Sequence, residues 1–134
     1  QGHPGYSAEC WGLTASDDPD GYAAHDPDHD NGTISPTAAL ASLPYTPQES
    51  LAAIRHLLRR YGSKVWGRYG FVDAFCERRD WYADTFLAID QGPIILMIEN
   101  HRSGLLWRLF MAIPEIRNGL RKLGFSSPRL RDRR

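Results

Sequence analysis

Five apolar residues stand in a row at Ile94-Ile95-Leu96-Met97-Ile98. A helix on a protein surface interrupts such a run with a polar residue every second or third position. Isoleucine is β-branched, and periodicity alone does not separate a buried strand from a buried helix. The flanks favour the helix. Asp90 is placed to cap a first turn, and Pro93 falls within that turn, where a missing N–H costs nothing. Glu99, Asn100, His101 and Arg102 continue the element, and Ser103-Gly104 supplies the stop. The predicted helix covers 91–102 and is apolar on all sides at its middle. It should therefore be the most buried element, packed by helices at 47–60 and 105–123. Asp90-Gln91 lies at its start and Glu99-Asn100-His101 near its end. A carboxylate at a helix N-terminus meets the positive end of the dipole, a place for a functional acid or base and equally for a plain cap.

Residues 1–35 show no helical period, yet Tyr6, Trp11 and Tyr22 are spread through them, which predicts an ordered loop. Ser35-Pro36 opens a short helix through Ala41, which Pro44 ends. Thr46, Pro47 and Glu49 have the spacing of a capping box. The helix that follows presents Leu51, Ile54, Leu58 and Tyr61 on one face, widened by Leu57, and Gly62 terminates it. Residues 63–86 are an aromatic-rich connection with short strands near Val65-Trp66 and Gly70–Val72. Residues 105–111 continue helically, and Pro114 restarts a last helix with Ile116, Leu120 and Leu123 inward and Gly124 at its end. One-sided helices around an all-apolar one predict an all-α chain with two helix layers. Residues 126–134 are polar and arginine-rich, and are expected to be a disordered tail.

A chain of 134 residues, 42% hydrophobic and 24% charged, suits one modest domain. No apolar run nears the roughly 20 residues of a membrane span. The chain starts at Gln1 inside loop-like sequence, without a leader, so a fragment or processed product is expected. Residues 1–46 carry seven acids and no Lys or Arg, whereas 47–134 carry nine acids and all sixteen bases. The bases fall mostly on exposed helix positions and in the tail, which argues against nucleic acid as a partner. Cys10 and Cys76 fit no metal spacing and read as two unrelated free thiols.

Asp26 to Gly32 begins like an EF-hand loop, but positions six and twelve are Asn31 and Thr37 instead of Gly and Glu, so no tightly bound ion is expected there. Gly5-Tyr6-Ser7-Ala8-Glu9 lacks the last glycine of a nucleophile elbow, and no phosphate-cradling glycine motif is present, so no cofactor is expected. What remains is carboxylates beside aromatics: Glu9 near Trp11, Asp17 near Tyr22, Asp80 and Asp84 around Trp81-Tyr82, then Asp90-Gln91. Sugars suit such places, because their C–H faces stack on rings and their hydroxyls bond carboxylates and amides, and glycosidic cleavage uses an acid and a base. The competing reading is that the aromatics are core.

The segments GHPGYSAECWGLTASDDPDGY, GTISPTAALASLPYTPQESLAAIRHL, YGFVDAF, WYADTFLAIDQGPIILMIENHRSGLLWRLF and IRNGLRKLGF resemble the closing part of the glycoamylase-like domain. That family includes bacterial endo-β-1,2-glucanases, and related domains occur in cyclic β-1,2-glucan synthases. The resemblance covers 2–125 and implies the C-terminal portion of an (α/α)6 barrel, an incomplete toroid, from a domain about three times this long. It further implies an inverting hydrolase of a β-glucan, β-1,2-linked, placed in the periplasm or secreted. Asp90 would then activate water, and Glu9 would be a second acid or bind hydroxyls. Trp11 would stack on a sugar, with Asp17, Trp81, Tyr82 and Gln91 also binding substrate. Glu9 and Asp90 should share a cleft with Trp11 and with Trp81 or Tyr82, while the partner acid lies in the missing N-terminal part. Two alternatives stay open: an incomplete barrel that binds carbohydrate or other chains without catalysis, and a transglycosylating domain of a cyclic glucan synthase.

Overall fold

The computed structural model describes residues 5–130. The chain divides into two compact units, Gln1–Ile98 and Glu99–Arg134. Five α-helices occur among the described residues: α1 (Pro36–Leu40), α2 (Pro47–Arg60), α3 (Ala88–Ser103), α4 (Leu105–Phe110) and α5 (Pro114–Lys122). Proline opens α1, α2 and α5, as its fixed φ and absent N–H favour. The chain is helix-rich, but the all-α expectation is corrected by four short strands among the described residues. Strand β1 (Trp66–Gly67) pairs antiparallel with β2 (Gly70–Phe71), and β3 (Phe75–Cys76) pairs antiparallel with β4 (Trp81–Tyr82). All four strands have two residues, too few for an alternating pattern, and the second pair was not expected from the sequence.

Helix α2 has the predicted bounds but a different buried face. Ser50, Ala53 and Leu57 are buried, with Tyr61 following, whereas Leu51 and Leu58 are 39% and 41% exposed. Small residues win this face because α1 comes close: Ser50 Oγ donates to the carbonyl of Ala39 at 2.8 Å. Thr46 does not close a capping box; its hydroxyl bonds Ser42 O at 3.3 Å and pairs with Ser50 Oγ at 3.2 Å. The core of this unit gathers Cys10, Ile34, Leu40, Leu57, Val65 and Phe75, all at most 2% exposed. Cys10 and Cys76 are both buried and free, as the sequence reading has them.

Helix α3 starts earlier than expected. Leu87 O accepts the N–H of Asp90 at 3.1 Å and of Gln91 at 3.2 Å, so Asp90 lies in the first turn and not at the cap. Pro93 is inside the helix, and its missing N–H leaves Ile89 O without a helical donor where Ile89 is exposed. The expectation that α3 is the most buried element is also corrected. Ile94 is buried, but Ile95 is 66% exposed, and Leu96 and Ile98 are exposed too.

The β1–β2 hairpin is fixed to α3 by an interlock. Gln91 Nε2 donates to Phe71 O at 2.7 Å. Gly70 has φ +111°, and a Cβ there would lie 2.2 Å from Gln91 Oε1. Gly70→Ala therefore meets both backbone strain and a clash, and is expected to destabilise by about 1–3 kcal/mol, read as the shift of a urea midpoint. An unchanged midpoint would mean that the hairpin is free to move off α3.

In the second unit, Gly104 ends α3 in the left-handed region, donating to Asn100 O at 2.8 Å. The buried Asn100 accepts the N–H of Trp107 through Oδ1 at 3.2 Å. Leu123, expected inward, is 74% exposed. Residues Pro128–Leu130 form a 3-10 turn in the stretch read as a disordered tail. Leu130 is buried there, and its carbonyl accepts from Arg121 Nη2 at 2.7 Å. The remainder of that tail, 131–134, lies outside the described residues.

Candidate functional site

Three stretches that are distant in sequence meet at the segment opening α1. Ser35 N–H donates to Gly12 O at 3.0 Å, and a Cβ on Gly12 would lie 2.2 Å from Ser35 O, so glycine permits the approach. Ser35 Oγ donates to the carbonyl of Asp73 at 2.7 Å, and Thr37 Oγ1 donates to the carbonyl of Asp90 at 3.0 Å. Two hydroxyls two residues apart thus hold two aspartates. Asp17 joins them: its N–H donates to Asp73 Oδ2 at 2.6 Å, and Thr85 Oγ1 donates to Asp17 Oδ2 at 2.7 Å.

Asp73 is 2% exposed and Asp90 is 7% exposed. Burial disfavours the charged form of each. Burial raises the Asp90 pKa to about 7, reinforced by the charge and hydrogen bond of Asp73 and the charge of Asp17. Burial also raises Asp73, opposed by the bonds it accepts from Asp17 N–H and from Asp90. Asp73 and Asp90 line a cavity of about 420 Å³ together with Ser16, Tyr22, Thr37 and Leu87. A carboxyl that exchanges its proton near neutral pH, in a cavity with apolar walls, can act as a general acid or base.

Of the residues read from the sequence, Asp90 and Asp17 are brought together here. Trp81 and Tyr82 line a second cavity of about 430 Å³ with Asp17, Asp18 and Asp84. Glu9 is elsewhere, which corrects the expected cleft shared with Asp90. The bridge between Ser7 and Cys10 turns Glu9 outward, into a groove with Arg55, His56 and Arg59, where its Oε2 pairs with His56 Nδ1 at 3.5 Å. Trp11 is partly buried and packs against the core. The amide of Gln91 is taken up by Phe71 O. Asp73 was missed as a site residue. Its signal was a single acid within the apolar run Phe71-Val72-Asp73-Ala74-Phe75, where an unneeded charge is costly.

The loop between Ser16 and Thr33 is built on Asp18. This buried carboxylate accepts from Asn31 Nδ2 at 2.6 Å, Thr33 Oγ1 at 3.0 Å and the N–H of Asp20 at 3.0 Å. It also faces His25 Nε2 at 3.2 Å. Asp26 accepts the N–H groups of Asp28 and His29 at 2.9 Å each and so caps its own turn. No group of three or more His, Cys, Asp or Glu residues with metal-binding geometry occurs among the described residues.

The site is thus a buried acid cluster carried on a helix-rich scaffold. The family model "Glycoamylase: Putative glucoamylase" matches residues 1–114, and the chain belongs to the glycoamylase family. It is 48% identical over 124 residues to an exo beta-1,2-glucooligosaccharide sophorohydrolase of Parabacteroides distasonis, covering 91% of this chain and 17% of that protein. Among solved structures it is similar to the endo-beta-1,2-glucanase from Chitinophaga pinensis in its sophorotriose and glucose complex, with a TM-score of 0.87 and 54% identity over 95% of this chain and 31% of that one. A beta-1,2-glucanase from Parabacteroides distasonis superposes with a TM-score of 0.84 and 48% identity, over 91% of this chain and 18% of that one. The chain therefore spans a third or less of the length of these relatives.

Proposed function

We propose that the chain is the closing part, residues 1–125, of a glycoside hydrolase domain that cleaves a β-1,2-linked glucan. The observation that carries this reading is the buried Asp90–Asp73 pair at the wall of a cavity, in a chain whose relatives are named for hydrolysis of such glucans. In this reading Asp90 is the general base. With its pKa lifted to about 7 it binds a proton more strongly than an ordinary carboxylate, yet is ionised in an appreciable fraction at neutral pH. It takes the proton of a water that attacks the anomeric carbon from the face opposite the leaving oxygen, so the product is inverted. The acid that protonates the leaving oxygen comes from sequence beyond this chain. Asp17, Trp81 and Tyr82 serve a neighbouring sugar unit from the second cavity.

The same reading places the described helices in an (α/α)6 barrel, in the periplasm or outside the cell. The exposed Ile95, Leu96 and Ile98 on α3 are the faces that the remaining barrel helices would cover.

The test is a chain extended upstream to the length of the relatives, incubated with β-1,2-, β-1,3- and β-1,4-glucans and with starch. Cleavage of the β-1,2-glucan, with the product's first anomer opposite to the substrate's by NMR, is expected. Cleavage of starch alone, or of none of the four, overturns the reading. The 134-residue chain by itself is expected to release no sugar, because half of its acid–base pair is absent.

A further inference from the structure

The two most exposed large apolar side chains among the described residues are Ile89, at 78%, and Tyr22, at 75%. Sixty-seven positions separate them in sequence, yet both line the cavity that holds Asp73 and Asp90. Single exposed apolar residues are ordinary. Two that meet at the cavity of a buried acid pair are not, because folding gains little from rings and branches left so open to water. Leu87 and Pro93 extend the apolar wall on the side of Ile89. Within the same cavity, Asp90 Oδ2 is buried and has no hydrogen-bond partner among the described residues. The cavity thus combines apolar walls with a buried acceptor that lacks a donor.

Tyr22 is held in place by its backbone. Ser16 and Ala23 exchange both of their N–H···O bonds at 3.0 Å each, so residues 16–23 form a closed loop. Gly21 turns that loop at φ +116°, its N–H donating to Asp18 O at 2.9 Å. Arg79 anchors the outer side, with Nη2 donating to Asp20 Oδ1 at 3.0 Å. Beneath lies the buried Asp18 with its bonds from Asn31 and Thr33. An exposed ring on a fixed backbone is a surface prepared for a ligand, since little order remains to be imposed on binding.

We propose that Tyr22 is a substrate-positioning residue, whose ring stacks on the C–H face of the glucose unit presented to Asp90. The proposal rests on the reading of Asp90 as the base and adds to it the group that orients the sugar. A β-glucose ring carries its hydroxyls around the edge and its C–H bonds on the two faces. Tyr22 and the wall of Leu87, Ile89 and Pro93 suit the faces, and the unpartnered oxygen of Asp90 suits a donor at the edge or an attacking water. Held by a face, the sugar keeps its place without consuming the carboxyl that does the chemistry.

The test uses Tyr22→Ala and Tyr22→Phe. In the extended enzyme Tyr22→Ala should raise KM on β-1,2-glucan about tenfold and leave kcat within about threefold, the mark of binding shared by ground and transition states. Tyr22→Phe should keep KM within about twofold, because the face and not the hydroxyl carries the contact. The urea midpoint of this 134-residue chain should be the same with Tyr22, Ala or Phe, as the side chain is so exposed. An unchanged KM in Tyr22→Ala, or an equal loss in Tyr22→Phe, overturns the proposal. The β-1,2-linked glucose disaccharide, added to the extended protein and followed by proton NMR, separates this proposal from the proposed function. Its C–H signals should move upfield under the ring and should not move in Tyr22→Ala. That result in a protein that cleaves no glucan supports the stacking and overturns the function. Signals that stay in place, or that move equally in both proteins, overturn the stacking even where glucan is cleaved.

Discussion

Asp90→Asn, in a chain extended to the length of its relatives, is expected to lower kcat on β-1,2-glucan by about 10²–10⁴-fold while the fold stays intact. An amide cannot take a proton from water. The same variant should gain stability relative to the parent as pH rises, and the sign follows from the raised pKa. The folded-state pKa of Asp90 is raised to about 7, above the ordinary carboxylate value, so between the two the folded chain keeps a proton that the unfolded chain has lost. The stability tied to this proton is full below the unfolded pKa and is lost as pH rises through about 7. Asparagine at this position has nothing to lose. The stability of the variant relative to the parent should therefore rise between pH 5 and pH 8 by on the order of 2 kcal/mol. Denaturation curves at the two pH values measure it. An inactive variant with an unchanged pH dependence of stability would mean that Asp90 is already ionised in the folded chain. A variant with near-normal turnover would remove Asp90 from the chemistry.

The second large effect concerns the loop that carries Asp17. Asp18→Ala should cost about 3–5 kcal/mol, because it strips the partners from His25, Asn31 and Thr33 in a buried setting. Burial alone would raise the pKa of Asp18. The hydrogen bonds from Asn31, the Asp20 N–H and Thr33 outweigh it and hold the carboxyl below its ordinary value. This contribution has the opposite sign to that of Asp90: it is present above the unfolded pKa and lost as pH falls through the lowered one. Urea unfolding at pH 7 should show nearly the whole loss, and at pH 3 the gap between parent and variant should narrow. A loss under 1 kcal/mol at pH 7 would mean that the loop is held chiefly by its other contacts, such as Tyr6 on Thr33 O.

The helix boundaries were largely legible because prolines and glycines mark them: Pro36, Pro47 and Pro114 at starts, and Gly104 at a stop. Faces were less legible. Hydrophobicity favoured Leu51 and Leu58 on α2, but close approach to α1 favoured Ser50 and Ala53, and closeness leaves little trace in one helix read alone. The apolar run at 94–98 reads as the centre of a core because no polar residue interrupts it, and hydropathy alone does not say which of its faces are covered. Asp90 and Asp17 were found from their neighbours in sequence. Their meeting through Asp73 was not, because it depends on Ser35, Thr37 and Thr85, three hydroxyls with no pattern of their own. Glu9 shows the converse error: an acid beside a tryptophan that the chain turns toward α2.

The contact between Gly70 and Gln91 has an evolutionary corollary. Position 70 has no space for a methyl group while position 91 carries a long amide, and the amide in turn ties the hairpin to the turn bearing Asp90. Neither position can drift alone. Homologous chains with a side chain at 70 should carry a shorter residue at 91 and should have found another tether for the hairpin, so the two positions should vary as a couple across the family.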